Sequence, residues 1–189
     1  MKKAISHHVY NRGNNKEKIF YHNYNYLYFI EKIRISILPY SDILAWCLIP
    51  NHFHLMVEVK RVIFNNVSLN HSIGRMLSSY TRAINNQEKR TGSLFQEHTQ
   101  AICLTKIDGI TPSWYKINGI TNINISQPER DYPVVCMAYI HNNPVKHGLE
   151  EKPDKWEYSS FREYKELTDN CLINREKGLY YFNYSEPER

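Results

Sequence analysis

The amino-acid sequence predicts an α+β fold in which one antiparallel sheet is covered by helices. Strand-like and helix-like hydrophobic patterns alternate along the chain in the order strand, helix, strand, strand, helix, strand. The chain has 189 residues, a length that fits one ordinary domain, and 42% of them are hydrophobic, which is enough to bury a core. With 7 glycines and 8 prolines, the composition excludes a disordered or fibrous chain.

The first predicted strand and helix lie within residues 7–37. Residues 7–11 are a short apolar and aromatic run that ends in a turn rich in glycine and asparagine, which is typical of a strand followed by a loop. In residues 20–37, apolar side chains recur at steps of three and four, which predicts a helix with one buried face. The predicted face consists of Tyr24, Leu27, Tyr28, Ile30, Ile33 and Ile37.

A strand hairpin and a second helix follow. Residues 43–49 are a continuous apolar run closed by Pro50, and residues 52–59 alternate after that turn, which predicts two adjacent strands. Apolar positions in residues 68–90 again have helical spacing, and residues 101–104 form another apolar run. The order βαββαβ is that of the ferredoxin-like fold, with helices packed on one face of an antiparallel sheet.

The last third of the chain departs from this pattern. Residues 105–130 contain glycine, proline and several asparagines without a helical period, so we predict a long loop or an insertion. Residues 133–143 are apolar enough to pack and precede Pro144, which predicts a third, C-terminal helix. We therefore predict one domain over residues 1–166 and a C-terminal tail over residues 167–189.

Charge, cysteine content and the length of apolar runs narrow the class of protein. The 24 Lys and Arg outnumber the 19 Asp and Glu, which gives a net charge of +5, and 15 tyrosines dominate the aromatic residues. This composition is compatible with nucleic-acid binding, because basic side chains neutralise phosphates and aromatic rings stack on bases. The 4 cysteines form no CxxC pair, which argues against a disulfide framework and a cysteine zinc site. No apolar run has the length of a membrane span and no signal segment is recognisable, so we predict a soluble, cytoplasmic protein without a membrane partner.

The first pattern that carries chemistry is the pair His52 and His54 within a predicted strand. Side chains two apart on a strand point to the same face, so the two imidazoles project together, as suits a divalent metal. Met56 excludes the HxHxDH and HxHxH metal motifs, and the sequence contains no HExxH. The alternative is a pair of strand histidines that face solvent or make ordinary hydrogen bonds.

The second pattern is Tyr139 and Asn143 on the last turns of the predicted third helix. Because they are four residues apart, they share a helix face, where an amide oxygen can complete a metal shell beside a phenol. The alternative is a tyrosine that packs its ring and hydrogen-bonds its hydroxyl, followed by a helix that stops at an Asn-Pro pair.

Together, these patterns resemble the motifs of a known family. Residues 48–57 (LIPNHFHLMV) and 139–149 (YIHNNPVKHGL) closely resemble the HUH and tyrosine motifs of the IS200-like transposases, and the nearer match is the branch of REP-associated tyrosine transposases. Supporting resemblances occur at residues 8–14 (HVYNRGN), 91–96 (TGSLFQ) and 156–160 (WEYSS). The resemblance thus extends, in order, from about residue 7 to residue 164.

This resemblance implies a metal-dependent endonuclease and strand transferase that acts on single-stranded DNA with a hairpin. It implies that Tyr139 is the nucleophile, that His52 and His54 bind Mg2+ or Mn2+, and that Asn143 takes the place of the polar third ligand. The reaction would leave a 5′-phosphotyrosine link and a free DNA 3′-hydroxyl, and its reversal would rejoin DNA.

Several features of the resemblance stay open. The predicted DNA-binding residues are the basic side chains nearest the motifs, namely Arg12, Lys146, His147, Arg82 and Arg75, although a charged helix face is often only solvated. Residues 105–130 exceed the link expected in the family, and are interpreted as a segment that gates the site, binds DNA or is inert. Family members act as dimers or as monomers, so both a monomer and a homodimer are compatible with the sequence.

Two other functions are also compatible with the sequence. One is a catalytically silent descendant of such a transposase that binds hairpin DNA without cutting it. The other is a metal-dependent hydrolase of another phosphate ester, in which Tyr139 is only structural. Covalent attachment to DNA separates these hypotheses, because only the transposase-like reaction requires it.

Overall fold

We describe the fold from a computed structural model of the chain, which describes residues 5–105, 114–117, 120–123, 128–168 and 172–185. The strands are β1 (Ser6–Arg12), β2 (Ser41–Ile49), β3 (His52–Val59), β4 (Ile63–Phe64), β5 (Val67–Ser68), β6 (Gln100–Cys103), β7 (Trp114–Ile117) and β8 (Ile120–Ile123). The α-helices are α1 (Asn23–Ser36), α2 (Leu69–Glu88), α3 (Pro128–His141), α4 (Asn143–Lys146), α5 (Phe161–Tyr164) and α6 (Arg175–Ser185).

The centre of the fold is a four-stranded antiparallel sheet with the strand order β2-β3-β1-β6. This order follows from the predicted βαββαβ arrangement, because each helix returns the chain to a strand that is not adjacent to the previous one. The α+β prediction is therefore confirmed. Within the described part of the chain, no helix combines the length and the hydrophobicity needed to span a membrane.

Helices α1 and α2 cover one face of the sheet. Helix α2 begins at the predicted place, where the Ser68 hydroxyl accepts a hydrogen bond from the backbone N–H of His71 at 3.2 Å. It buries Met76, Leu77, Tyr80 and Ile84, at the predicted helical spacing. These side chains pack in one core with alternate residues of β3, namely Phe53, Leu55 and Val57.

The predicted buried face of α1 is partly wrong. Tyr24 and Leu27 are 56% and 57% exposed, whereas Tyr26 and Phe29 are buried. Apolar residues lie on all sides of this helix, so their spacing alone does not select the face that meets the sheet. The contact between the rings of Phe29 and Phe53, with centroids 5.1 Å apart, lies on the face that packs against the sheet.

The opposite face of the sheet is covered by α3, α5 and α6. The prediction that helices pack on one face of the sheet is therefore wrong, because helices cover both faces. A β-bulge between Ile43 and Ala45 shifts the alternation of β2, and Leu44, Ala45 and Cys47 then face this second core. The buried side chains Met137 and Ile140 of α3 pack there.

The C-terminal tail predicted from residue 167 contains a packed helix. In α6, Phe182 is buried and its ring stacks on Tyr164 with centroids 4.5 Å apart. A Cβ atom at Gly178 would lie 1.7 Å from the Tyr164 hydroxyl, so only glycine allows this approach. The short helix has no clear hydrophobic period, which is why the sequence did not indicate it. Residues 186–189 and Cys171 lie outside the described residues.

A buried carboxylate fixes the segment that leads into α6. Glu163 accepts hydrogen bonds from Trp46 Nε1 at 2.6 Å and from the backbone N–H of Leu172 at 3.0 Å. One carboxylate oxygen thus binds β2 and the other binds the C-terminal segment, so Glu163 joins the two. Charge-assisted hydrogen bonds of this kind are among the stronger ones in a protein interior.

The predicted insertion, residues 105–130, contains regular structure. Strands β7 and β8 pair as an antiparallel hairpin, with Trp114 opposite Ile123, and α3 begins within the insertion, at Pro128. Strands of four residues are too short to produce a recognisable alternation of apolar and polar residues. The sequence pattern therefore did not predict this hairpin. The rest of the insertion, apart from Thr105, lies outside the described residues.

An ion-pair cluster joins α6 to the sheet and predicts an acid-sensitive contribution to stability. Lys177 donates to Asp42 Oδ2 at 2.8 Å and also contacts Glu58, and Lys60 pairs with Asp42 at 3.0 Å. Burial acts to raise the pKa of Asp42, but the hydrogen bonds from Lys177 and Lys60 outweigh burial, and the net shift is downward. A lowered folded-state pKa stabilises the protein above the unfolded-state pKa, and this stabilisation disappears as the pH falls through the folded-state value.

We therefore expect Lys177→Met to lower the free energy of unfolding at pH 7 by about 0.5–1 kcal/mol, a small amount because Lys177 is partly exposed and screened. Urea unfolding measures it, with Lys152→Met as the control at an exposed position. The deficit should begin to shrink below the usual Asp pKa of about 4 and should disappear as the pH falls through the lower folded-state pKa of Asp42. A deficit that stays constant down to acid pH would contradict the ion-pair origin.

Candidate active site

Two histidines of β3 project together from the sheet face that carries α3. Phe53 and Leu55, which flank His54, belong to the core under α1 and α2, so His52 and His54 face the other way. Their ring centroids are 4.9 Å apart. The prediction that both imidazoles share one face is confirmed.

Each histidine has a specific hydrogen-bond partner that orients its ring. His54 Nδ1 lies 2.9 Å from Nε2 of His8, a buried residue of β1. His52 Nδ1 lies 2.7 Å from Oδ1 of Asn51, and His52 Nε2 lies 3.0 Å from Oδ1 of Asn143. Partners of this kind fix the tautomer and the direction of an imidazole.

Burial keeps these imidazoles neutral. It lowers the pKa of His54 to about 2, with further lowering by the neighbouring His8 and His52. Burial also lowers the pKa of His52 to about 4, opposed by its hydrogen bond to Asn143 and assisted by nearby positive charges, and it lowers the pKa of His8 to about 4. Neutral imidazoles have a lone pair available, which is the form that binds metal ions.

The hydrogen-bonding arrangement leaves polar atoms of both histidines unsatisfied. A neutral imidazole donates from one nitrogen only, yet Nδ1 of His52 faces Oδ1 of Asn51 and its Nε2 faces Oδ1 of Asn143, so one of these two oxygens faces a nitrogen that carries no proton. Asn143 Nδ2 is buried without a hydrogen-bond partner among the described residues. A bound cation relieves this conflict, as does rotation of the amide. His54 Nε2 is likewise buried without a partner in the described part of the chain.

The side chains that could hold a metal ion are therefore His52, His54 and the Asn143 amide. Among the described residues, no group of three or more His, Cys, Asp and Glu side chains is arranged to hold a metal ion. Two imidazoles and one amide oxygen supply at most three ligands, so these donors do not form a closed four-ligand zinc site, and a cation held there would take its other ligands from water or phosphate oxygens.

Tyr139 lies at the open edge of this arrangement. Its side chain is 39% exposed, and its ring stands edge-on to His54 with centroids 5.3 Å apart. Lys146 Nζ lies 5.1 Å from the centre of the same ring. A phenol, two neutral imidazoles and a positive charge are thus adjacent.

The prediction that Tyr139 and Asn143 share a helix face is wrong. Helix α3 ends at His141, Asn142 has φ −84° and ψ 0°, and Asn143 begins the separate helix α4. Pro144 fits the start of α4, because proline lacks the N–H that a first helical turn leaves unpaired. The break places Asn143 against His52, while Tyr139 faces His54.

Three of the five predicted DNA-binding residues lie around the histidines. The His147 ring is 5.0 Å from the His52 ring, and the charges of Arg12 and Lys146 act on His52. Arg75 and Arg82 are elsewhere: they line a groove of about 720 Å³ along α2, on the other side of the sheet. The structure therefore brings Arg12, Lys146 and His147 to the site and leaves Arg75 and Arg82 away from it.

Comparison with known proteins bears on the fold. No family model and no curated protein matches the chain. Among solved structures, the chain is similar to a REP-associated tyrosine transposase bound to a REP hairpin, with a TM-score of 0.53, 18% sequence identity and coverage of 93% of each chain. The chain shares the fold of that transposase. The resemblance first seen in the motifs is thereby confirmed at the level of the fold.

His8 and Asn51 also belong to this candidate site, although no sequence pattern singled them out as functional. His8 contacts His54 across two neighbouring strands, from a position 46 residues earlier in the chain. The only signal for it was its place in the segment HVYNRGN, at residues 8–14. Asn51 lies in the turn between β2 and β3, and its side chain also orients His52.

A pair formed by a histidine and a serine near the candidate site is structural. His141 Nε2 lies 2.9 Å from the Ser160 hydroxyl, and that hydroxyl accepts from the backbone N–H of Trp46 at 2.8 Å. Both His141 and Ser160 are buried, so no substrate reaches them. The pair fixes the end of α3 to β2 and thus positions the helix that carries Tyr139.

Proposed function

We propose that this protein is a metal-dependent endonuclease and strand transferase that cuts single-stranded DNA beside a hairpin through a 5′-phosphotyrosine intermediate. The observation that carries the proposal is the convergence of exposed Tyr139, two neutral histidines and the charge of Lys146. The solved transposase with the same fold is bound to a REP hairpin, which supports hairpin DNA as the partner.

In this proposal, His52, His54 and Asn143 hold a Mg2+ or Mn2+ ion. Such an ion, when bound, polarises the scissile phosphate and offsets the charge that develops on its oxygens. The contacts of His52 support this assignment, because both of its ring nitrogens face amide oxygens, of Asn51 and Asn143, and a neutral ring can donate to only one of them without a cation or a rotated amide. His8 acts as a positioning residue, since it holds His54 in one orientation.

The chain's own residues supply the nucleophile and the charge. The Tyr139 hydroxyl releases its proton and its oxygen forms a bond to phosphorus, while the bond from phosphorus to the 3′ oxygen breaks. The 3′ oxygen takes up a proton and leaves as a hydroxyl, so one proton is released and one is taken up. Lys146 and Arg12 neutralise phosphate charge next to the attacking oxygen. Because the phosphotyrosine keeps the energy of the original ester, a DNA 3′-hydroxyl can attack it and restore a continuous strand.

A silent hairpin-binding protein of the same fold is the second candidate function. The observation that favours it is the small number of protein donors, because the described residues offer two imidazoles and one amide instead of three strong ligands. Its DNA contacts would be the same, but no covalent product would form.

A denaturing gel tests the proposal. Purified protein is incubated with Mg2+ or Mn2+ and labelled hairpin DNAs that carry single-stranded flanks, taken from the genomic surroundings of its gene. We expect a labelled protein band that survives denaturation and requires metal. Hairpin binding without adduct or cleavage, with any flank and either metal, would establish the silent candidate instead.

Binding to hairpin DNA should depend on Lys146. We expect Lys146→Ala to weaken binding of all hairpin sequences to a similar extent and to reduce the slope of log affinity against log salt by about 1, because one phosphate contact is lost. Fluorescence anisotropy over a range of salt concentrations measures both quantities. The same measurement on Arg82→Ala tests whether the α2 groove also contacts DNA, and an unchanged slope for Lys146→Ala would contradict its assignment.

A further inference from the structure

A cleft of about 280 Å³ opens directly beside Tyr139, between α3 and the strands β1 and β6. Apart from Tyr139 and the two histidines His8 and His54, its walls are aromatic or apolar. They are formed by Tyr10, Ile102, Leu104, Tyr132, Val135 and Cys136. The mechanism proposed above uses none of these six side chains.

The basic residues lie beside the cleft and do not form its walls. Arg12, Lys146 and His147 surround His52 and do not line the cleft. A ligand that occupies both places needs a negatively charged group at one end and a flat apolar body at the other. A nucleotide has this form, with its phosphate beside Lys146 and its base in the cleft.

Two tyrosines form the aromatic walls of the cleft. The Tyr10 ring lies 4.8 Å from the His8 ring and 5.6 Å from the His54 ring, so it lies next to the histidine pair. Tyr132 comes from α3, two helical turns before Tyr139, and is half-buried. Tyr10 and Tyr132 both line the cleft, and burial, together with the nearby Cys136 and Tyr10, raises the pKa of Tyr132.

We propose that this cleft binds the nucleobase adjacent to the scissile phosphate, and that Tyr10 and Tyr132 hold this base by ring contacts. The proposal rests on the proposed function, because the phosphate beside Tyr139 locates the base. Stacking of a base on an aromatic side chain tolerates every base, since every base has a π face. Among the described residues that line the cleft there is no carboxylate, amide or guanidinium side chain, and the groups that can hydrogen-bond a base edge are the phenol hydroxyls and the imidazoles.

An abasic scan tests this inference. In a series of hairpin DNAs, each nucleotide of the single-stranded flanks is replaced in turn by an abasic nucleotide, and affinity is measured by anisotropy with Tyr139→Phe protein, which prevents turnover. We expect one position at which base removal weakens binding about tenfold or more, the loss of one base–aromatic contact. In the wild-type adduct experiment, that position should adjoin the cleaved phosphate.

A double-mutant test shows whether the base whose removal weakens binding is the one that lies in the cleft. With Tyr132→Ala added, intact DNA should bind about tenfold more weakly, and base removal at that position should have no further effect. Tyr132→Phe keeps the ring and should bind as the parent does, and thermal unfolding shows whether either variant is destabilised. Tyr10→Ala provides a second variant from a different element.

The outcomes distinguish a failure of the base-binding cleft from a failure of the proposed nuclease activity. Independent, additive effects of Tyr132→Ala and base removal, or coupling at a nucleotide away from the cleaved phosphate, would overturn the cleft assignment while adduct formation still supported the nuclease. Coupling at one flank nucleotide without any wild-type adduct would retain a base-binding cleft and overturn the catalytic proposal.

Discussion

Tyr139→Phe is expected to abolish the covalent DNA adduct and to reduce cleavage by at least about a thousandfold, the scale seen when an enzyme loses its nucleophile. The substitution removes only the hydroxyl, and it keeps the ring that contacts His54 and lies under Lys146. Because Tyr139 is 39% exposed, the loss of its hydroxyl should leave stability unchanged within about 0.5 kcal/mol. Hairpin affinity should therefore remain close to that of the wild type.

The measurement combines the denaturing gel with anisotropy on the same protein preparation. Tyr24→Phe is the matched control, because Tyr24 is an exposed tyrosine of α1 on the other side of the sheet. It should form the adduct at the wild-type rate. Metal-dependent cutting that survives in Tyr139→Phe would identify a hydrolase in which this tyrosine is only structural.

Removal of the proposed metal ligands should have the second largest effect. We expect His52→Ala and His54→Gln each to lower cleavage by about a hundredfold or more, since a metal ion contributes several kcal/mol to stabilisation of a phosphoryl-transfer transition state. Chelation of the metal in the wild-type protein should have the same consequence. Hairpin binding should change little, because the basic residues remain.

A direct measurement of metal binding separates this role from a structural one. Titration of the DNA-free protein with Mn2+, followed by electron paramagnetic resonance, should show a site that His52→Ala weakens at least about tenfold. His71→Ala on α2, on the far side of the sheet, should bind Mn2+ as the wild type does. Wild-type Mn2+ affinity in both ligand variants would remove these histidines from the metal site. Because His54 is buried, the less buried His52 keeps the test valid if His54→Gln fails to fold.

Local periodicity in the sequence determined much of this fold. Alternation in β3 correctly predicted that His52 and His54 share a face, and helical spacing correctly predicted the buried residues of α2. Where local pattern was uninformative, prediction failed for a physical reason. Helix α1 is apolar on all sides, so only contact with the sheet selects its buried face, and α6 is recognisable only through its packing against Tyr164 and Leu44.

In the candidate site, too, some features follow from the sequence and others only from the tertiary structure. The sequence by itself indicated the candidate residues, because His52, His54 and Tyr139 occur in motifs that are recognisable as short strings. Only the tertiary structure decided how they meet. The pairing of β1 with β3 places His8 against His54, and the break at Asn142 turns Asn143 toward His52, 91 residues away in the chain. Contacts of this kind depend on strand register and on where a helix ends, and neither leaves a periodic signal in the sequence.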